Sequence, residues 1–232
     1  MKPGGLLTAG VGASALLAAG WAVRGRSSQV FGPSVWRGDS KRKSIALTFD
    51  DGPSPGTLQI LDILAQHRVP ATFFQCGMNV RRCPEITQAV AAGPHEIGNH
   101  SHTHPNFAFA RPTNIRDEFS RAQDAITTAS SVRPALMRAP YGVRWFGFRA
   151  MQAELGLQGV MWTVIGKDWK LSAREIERRV LAGASNGGII CLHDGRGTSV
   201  RPDVSQTVDA VRRIVPALLG KGYHFETVSQ LL

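Results

Sequence analysis

Segments with the pattern of buried strands alternate with segments of helical spacing from residue 44 to residue 232. The first strand lies in the sequence SIALTFDDGP of residues 44–53, where apolar side chains occupy consecutive positions rather than alternate ones. Such runs are typical of strands covered on both faces, as in a parallel sheet or barrel. Because each strand is followed by a helix, the chain is predicted to be an α/β protein with a parallel sheet, most simply a barrel.

Apolar spacing and capping signals predict the individual elements. Ser172 and Glu175 have the spacing of a capping box, and Pro84 suits the first turn of a helix. Strands are predicted at residues 71–74, 95–99, 136–138, 159–165, 188–192 and 223–228, and helices at residues 57–68, 84–92, 113–131, 146–155, 172–184 and 203–219.

The N-terminal part of the chain differs from the rest. An uncharged run of 18 residues, Leu6–Val23, is flanked by basic residues and offers small residues at 18–20 as a cleavage site. Its length lies between a signal-peptide core and a membrane span, so residues 1–26 are predicted to be a signal peptide or a membrane anchor. Residues 27–43 read as a basic linker, and residues 44–232 as the folded domain. The protein is therefore predicted to be exported, either anchored facing the cell envelope or secreted or periplasmic after cleavage.

The positive charge is concentrated near the N-terminus. The net charge is +10, and residues 1–43 carry seven Lys or Arg and one Asp, against 20 and 16 in the remaining chain. A nucleic-acid-binding domain requires a basic stripe interleaved with aromatic residues, and residues 44–232 have none. Nucleic acid is therefore excluded as a partner, whereas a membrane surface or an anionic envelope polymer fits the basic segment.

Residues capable of catalysis follow the predicted strands. In a βα barrel the C-terminal ends of the strands carry the active site. His100 and His104 are four residues apart and, with one carboxylate, would make a three-ligand zinc site with an open position for water. Zinc lowers the pKa of such a water towards ~7. The alternative is a pair of surface histidines without a metal, which also occurs. The strand-end set consists of Asp50, Asp51, His100, His104, Arg138, Asp168 and His193.

The residue types of Arg138 and His193 each suggest a role in this set. Arg138 beside two aspartates would hold one of them ionised and oriented, although a surface arginine in a plain turn has the same sequence pattern. His193 at the end of a buried strand, with an aspartate to orient it, suits a general acid or base.

Together these residues resemble a known family. The motifs TFDDGP at 48–53, HSxxHP at 100–105, RAPY at 138–141, DW at 168–169 and LHD at 192–194 are similar, in this order, to those of the polysaccharide deacetylases with a NodB homology domain, carbohydrate esterase family 4. The resemblance covers residues 44–232. It implies a distorted (β/α)7 barrel and metal-dependent removal of acetyl groups from sugars.

By the same resemblance, three residues would bind Zn²⁺ or a similar divalent ion: Asp51, His100 and His104. Asp50 would be the general base that activates the attacking water. His193 would protonate the departing amine.

The remaining roles implied by the resemblance support this chemistry. Arg138 would tether the base and Asp168 would tune the acid. The backbone N–H of Tyr141 would help to hold the oxyanion, and Trp169 and Leu192 would line the pocket for the acetyl methyl group.

Ile165 departs from the family pattern, because many relatives carry a second acid at this position.

The predicted substrate is an N-acetylglucosamine-containing polysaccharide, such as peptidoglycan or chitin-like oligomers. Two alternatives stay open: an esterase that removes O-acetyl groups from a polysaccharide such as xylan, and a glycan-binding barrel without catalysis.

Overall fold

The computed structural model describes residues 16–232, which form a curled, nine-stranded parallel sheet surrounded by helices. The strand order is β1-β6-β5-β4-β3-β2-β8-β7, with β9 paired to β2. This architecture confirms the predicted α/β class and the distorted (β/α)7 barrel. The strands are β1 Ser34–Val35, β2 Ser44–Gly52, β3 Thr72–Gln75, β4 Glu96–Asn99, β5 Leu136–Met137, β6 Gln158–Val160, β7 Val164–Ile165, β8 Gly188–His193 and β9 His224–Phe225.

The helices follow the strands and pack on the outside of the sheet. Residues 16–24 are also helical, and a short 3-10 turn covers Pro140–Gly142. As predicted, the helix Ala173–Gly183 begins with a capping box, in which the Ser172 N–H donates to the Glu175 carboxylate at 2.9 Å. The helices are α1 Pro55–His67, α2 Gly77–Arg82, α3 Pro84–Ala92, α4 Pro112–Ser130, α5 Phe148–Leu155, α6 Ala173–Gly183, α7 Ser205–Gly220 and α8 Val228–Leu231.

Strand β2 is the central element, and all nine of its residues are buried. Because side chains alternate along a strand, one set faces the helices and the other faces the inside of the curled sheet. Phe49 belongs to the outer set, where its ring stacks on Phe73 at 5.1 Å. Ala46 belongs to the inner set, with Phe74 and Ile189. The apolar inner cluster fills the barrel around Ala46. The inside of the barrel at the C-terminal end of β2 carries polar residues instead.

Two predicted strands are divided in the structure. Residues 158–160 pair with β5 and β1, whereas residues 164–165 pair with β8 at the other end of the sheet order. The predicted strand 159–165 is thus interrupted where the chain crosses the gap in the barrel. Likewise, the predicted strand 223–228 is the short β9 followed by α8, because Thr227 caps that helix.

Residues 27–43, predicted to be a linker, are packed on the domain. Strand β1 pairs with β6, Ser34 opposite Gly159. The buried Arg144 Nη1 donates to the Ser28 carbonyl and to the Ser34 hydroxyl, both at 2.8 Å. A polar and basic composition indicated a linker, but backbone pairing and a buried arginine from the domain hold this segment in place.

Part of the predicted signal peptide or anchor, residues 1–15, lies outside the described residues. Within residues 16–232, no helix is both long enough and apolar enough to cross a membrane. The three cysteines, Cys76, Cys83 and Cys191, are free, and Cys191 is buried.

Candidate metal and catalytic site

A cavity of about 460 Å³ opens where the strands end. This volume lies in the usual range for small-molecule sites. Its wall combines carboxylates and histidines with aromatic side chains, an arrangement suited to a sugar. The lining residues are Arg24, Asp50, Asp51, His100, His104, Ala139, Tyr141, Gly142, Trp162, Ile165, Trp169, His193, Arg196 and Gly197.

Both aspartates at the end of β2 face this cavity, although neighbouring strand residues normally point in opposite directions. The reason is an irregularity in the pairing of β2 with β3 between Asp50 and Gly52. Asp51 has a φ of 74°, in the left-handed region, which turns its side chain back to the inside. The strained position therefore places two carboxylates side by side.

Asp51 meets the two predicted histidine ligands. Its Oδ1 atom lies 3.3 Å from His100 Nε2 and 3.0 Å from His104 Nε2. Its Oδ2 atom accepts a hydrogen bond from the Gly197 N–H at 2.9 Å. Burial raises the pKa of Asp51, but the adjacent imidazoles of His100 and His104 and the charge of His193 outweigh it and hold the pKa well below its usual value.

The histidines are oriented by the backbone around them. His100 follows β4, and its Nδ1 lies 2.8 Å from the Arg138 carbonyl, an arrangement that directs Nε2 to Asp51. His104 comes from a loop rather than a helical turn, because Ser101 and His104 both have left-handed φ values. The His104 ring also packs edge-on against Tyr141, with ring centres 4.7 Å apart.

These three residues fit a divalent cation. Their ligand atoms lie within 4.8 Å of one another, and Asp51 Oδ1 is a buried oxygen without a hydrogen-bond donor among residues 16–232. Two imidazoles and one carboxylate are a donor set of catalytic zinc sites.

A second group, Asp50, Cys191 and His193, also has its possible ligand atoms within 4.8 Å of one another. They fit less well.

The reasons lie in the partners of Asp50 and Cys191. Arg138 Nη1 donates to Asp50 Oδ1 at 2.6 Å, and both side chains are buried. Burial, together with the charge of Asp50, raises the pKa of the Cys191 thiol well above its usual range. A neutral thiol and an arginine-bound carboxylate are poor metal ligands.

Arg138 lies inside the barrel, fully buried. Besides Asp50, it donates to the Thr48 hydroxyl at 2.8 Å and to the carbonyls of Val160 and Met161 at 3.3 Å. Its guanidinium also stacks over the Phe74 ring at 4.1 Å. These contacts offset the cost of burying its charge, and they hold the Asp50 carboxylate in place.

His193, at the end of β8, forms the second ion pair of the site. The His193 Nδ1 atom lies 2.9 Å from Asp168 Oδ1, and the His193 backbone N–H donates to Asp168 Oδ2 at 2.8 Å. The Thr207 hydroxyl also donates to Asp168, at 2.7 Å. Burial lowers the pKa of His193, but Asp168 outweighs it and raises the pKa to about 9. His193 is therefore protonated at neutral pH.

Two of the predicted substrate-binding residues lie on the cavity wall, and one does not. Tyr141 and Trp169 are half-exposed there, and Trp169 packs edge-on against His193 at 5.2 Å. Leu192 is fully buried among the outer helices instead. It precedes His193 on a strand, so it points to the opposite face, in contrast to the predicted contact with an acetyl methyl group.

Several residues of the site were not predicted. Gly197 holds Asp51 through its backbone, and its φ of 52° favours glycine. Thr207 lies in the sequence SQTV at 205–208, which is family-like but carries no ligand signal of its own. Arg24 comes from the segment predicted to be a leader or anchor, and Trp162 from the gap between β6 and β7.

Fold and site together define a class of protein: a parallel barrel with an Asp-His-His triad that could hold a metal ion, beside an arginine-bound carboxylate and a histidine paired with an aspartate. The model of the polysaccharide deacetylase family matches residues 37–160. A chitooligosaccharide deacetylase of Bradyrhizobium sp. (strain ANU 289) is 39% identical over 201 residues, 83% of this chain and 92% of that protein. A peptidoglycan-N-acetylglucosamine deacetylase of Bacillus cereus is 34% identical over 199 residues, 85% of this chain and 71% of that protein.

A solved structure agrees with these matches. The Bc1960 peptidoglycan N-acetylglucosamine deacetylase, in complex with an N-hydroxybenzamide, superposes with a TM-score of 0.80 at 33% identity, covering 85% of this chain and 91% of that one. The chain belongs to the polysaccharide deacetylase family, which confirms the resemblance found in the sequence.

Proposed function

We propose that this protein is a metal-dependent hydrolase that removes N-acetyl groups from polysaccharides containing N-acetylglucosamine. The observation that carries the proposal is the meeting of three units in one cavity: the Asp51–His100–His104 triad, the Asp50–Arg138 pair and the His193–Asp168 pair. The relatives named above, which act on chitooligosaccharide and on peptidoglycan, support the choice of substrate class.

We assign the triad of Asp51, His100 and His104 to a divalent cation, Zn²⁺ in the first place. When bound, the cation would polarise the acetamide carbonyl and lower the pKa of water. Asp51 Oδ1, which lacks a hydrogen-bond donor among the described residues, supports this assignment.

Asp50 is assigned as the general base that accepts a proton from the attacking water. Arg138 binds one of its oxygens, and Cys191 Sγ lies 3.4 Å from the other. A carboxylate fixed in this way cannot rotate out of the cavity, so the distance to the water is set in advance.

His193 is assigned as the general acid. Asp168 binds Nδ1, so Nε2 is the nitrogen left to face the cavity. As the C–N bond of the acetamide breaks, the His193 proton passes to the departing amine, and acetate and the free amine are the products. We assign the oxyanion contact to the backbone N–H of Tyr141 and the wall of the acetyl pocket to Trp169.

We also propose that the chain works outside the cytoplasm, tethered to the membrane or released there. The uncharged run of residues 6–23 between basic flanks supports export. Fusion of residues 1–43 to a reporter that is active only after export tests this proposal. Activity of the reporter is the expected result, and an inactive but stable cytoplasmic reporter would contradict it.

The reaction is tested by acetate release from the full chain with added Zn²⁺. The substrates are tetra-N-acetylchitotetraose, peptidoglycan and acetylated xylan. We expect release from the N-acetylated glycans, and a loss of about 10²-fold or more in His193→Ala, in which the amine leaves unprotonated. His224→Ala is the matched control, because His224 is exposed and does not line the cavity. Release from xylan alone would establish an O-acetyl esterase, and no release at all would favour a binding barrel.

A further inference from the structure

We propose that Arg24 makes the enzyme prefer N-acetylated glycans that carry a carboxylate beside the sugar being deacetylated. This inference rests on the proposed function and names the substrate class of the same site. A neutral chitin oligomer offers no charge to Arg24. A glycan with alternating N-acetylglucosamine and N-acetylmuramic acid does, through the lactyl carboxylate of the neighbouring sugar.

Arg24 lies on the cavity wall. Its Nη2 donates to the Tyr141 carbonyl at 3.3 Å, and the Tyr141 ring packs against the triad residue His104. The backbone next to it is also fixed, because the Arg144 N–H donates to the Val23 carbonyl at 3.1 Å. Arg24 is therefore held by two contacts with the loop after β5, at the wall of the same cavity that the triad lines.

The charge of Arg24 has no partner on the described part of the chain. No carboxylate of residues 16–232 lies within ion-pair distance of it, and residues 1–15 contain neither Asp nor Glu. The carboxylates deeper in the cavity are engaged: Asp50 with Arg138, and Asp51 with the two histidines. An exposed guanidinium with free donors at a sugar-sized cavity is suited to a carboxylate.

Two further residues of the cavity wall, Ile165 and Arg196, are compatible with this preference. Ile165 lines the cavity and adds no negative charge against an anionic substrate. Arg196 also lines the cavity, and its Nη2 donates to the Asp168 carbonyl at 3.0 Å. Arg196 is also ion-paired with Asp168 at 3.8 Å, so Arg24 is the lining arginine whose charge has no carboxylate partner among residues 16–232. Its charge would attract an anionic glycan without disturbing the acid and the base.

The test measures binding and turnover of two tetrasaccharides of equal length by the full chain. One is tetra-N-acetylchitotetraose, and the other is a peptide-free tetrasaccharide of alternating N-acetylglucosamine and N-acetylmuramic acid. We expect Arg24→Gln to weaken binding of the second by about tenfold, the value of one charge-assisted hydrogen bond at an exposed site, and of the first by less than twofold. Arg24→Lys should retain part of the preference, and the preference should fall with added salt.

Arg149→Gln is the matched control, because Arg149 is also exposed and also donates to one backbone carbonyl, that of Gln29, but does not line the cavity. Equal binding of both tetrasaccharides by the unmodified chain, or an unchanged ratio in Arg24→Gln, would overturn the inference. Calorimetric binding reports this ratio even without acetate release. A failure of turnover therefore counts against the proposed function, and a failure of the binding ratio counts against Arg24.

Discussion

At the scale of the residue, the site depends on charges that are buried in pairs. Arg138 is the clearest case, because a fully buried guanidinium is tolerated only with its hydrogen bonds satisfied. Asp50 is one of its partners, and the other acceptors are a hydroxyl and two carbonyls of the surrounding strands and loops. The same residue therefore stabilises the barrel and holds the base.

Replacing Arg138 by Met tests this double role. Asp50 would remain as a buried carboxylate without its cation, so we expect a loss of about 3–5 kcal/mol in the free energy of unfolding, together with loss of activity. Urea unfolding measures the first effect. The double variant Arg138→Met, Asp50→Asn removes both charges and should recover much of the stability but none of the activity. A single variant as stable as the unmodified protein would contradict the interpretation.

The protonation of His193 predicts how kcat depends on pH. Its acid role requires the protonated ring, which exists below its pKa of about 9. We therefore expect kcat to fall as the pH rises through this region. Asp168→Asn removes the charge that raises the pKa, so the alkaline fall should move to lower pH, by one unit or more. The pH profile of kcat in both proteins measures the shift, and coincident alkaline limbs would show that another group controls the rate.

Most side chains of the site could be predicted, because Asp50, Asp51, His100, His104, Arg138, Asp168 and His193 are chemically distinct residues directly after strand-like runs. Their roles stay predictions. Leu192 shows where such reasoning fails, since the motif names the residue but only the strand's alternation shows its direction. Arg24 had no signal at all, because it lies in a stretch that reads as a leader.

At the scale of the element, the strand ends were easier to predict than the loops. The bulge at the end of β2 and the left-handed residues Ser101 and His104 depend on backbone geometry that residue spacing does not encode. The spacing of two histidines four apart suggests a helical turn as readily as this loop. The gap between β6 and β7 could not be predicted either. An apolar run does not show at which residue the chain stops pairing with one strand and begins pairing with another.

The attachment of the N-terminal segment gives a prediction at this scale. Arg144 joins residues 25–34 to the barrel through buried hydrogen bonds. Arg144→Met leaves those acceptors without donors, so we expect a loss of about 2 kcal/mol in the free energy of unfolding. Arg149→Met, at an exposed position of the same region, should cost less than about 0.5 kcal/mol. Equal effects of the two variants in urea unfolding would contradict a specific attachment.

At the scale of the whole molecule, the sheet extends beyond the domain boundary predicted at residue 44. Strand β1 pairs with the edge of β6, and the family model also begins earlier, at residue 37. A chain starting at residue 44 would expose that edge and leave Arg144 without partners. We expect its unfolding midpoint to lie about 5 °C or more below that of a chain starting at residue 21. Coincident thermal transitions would show that residues 21–43 do not belong to the fold.

The central claim is that Asp51, His100 and His104 bind one catalytic cation. The most direct measurement determines bound zinc and acetate release on the same samples of the full chain, before chelation, after it, and after zinc is restored. We predict about one zinc per chain, loss of activity with its removal and recovery with its return, and neither zinc nor activity in His104→Ala. His193→Ala should bind zinc normally but release acetate at least about 10²-fold more slowly. Full acetate release from the zinc-free protein, or normal zinc binding by His104→Ala, would contradict the account.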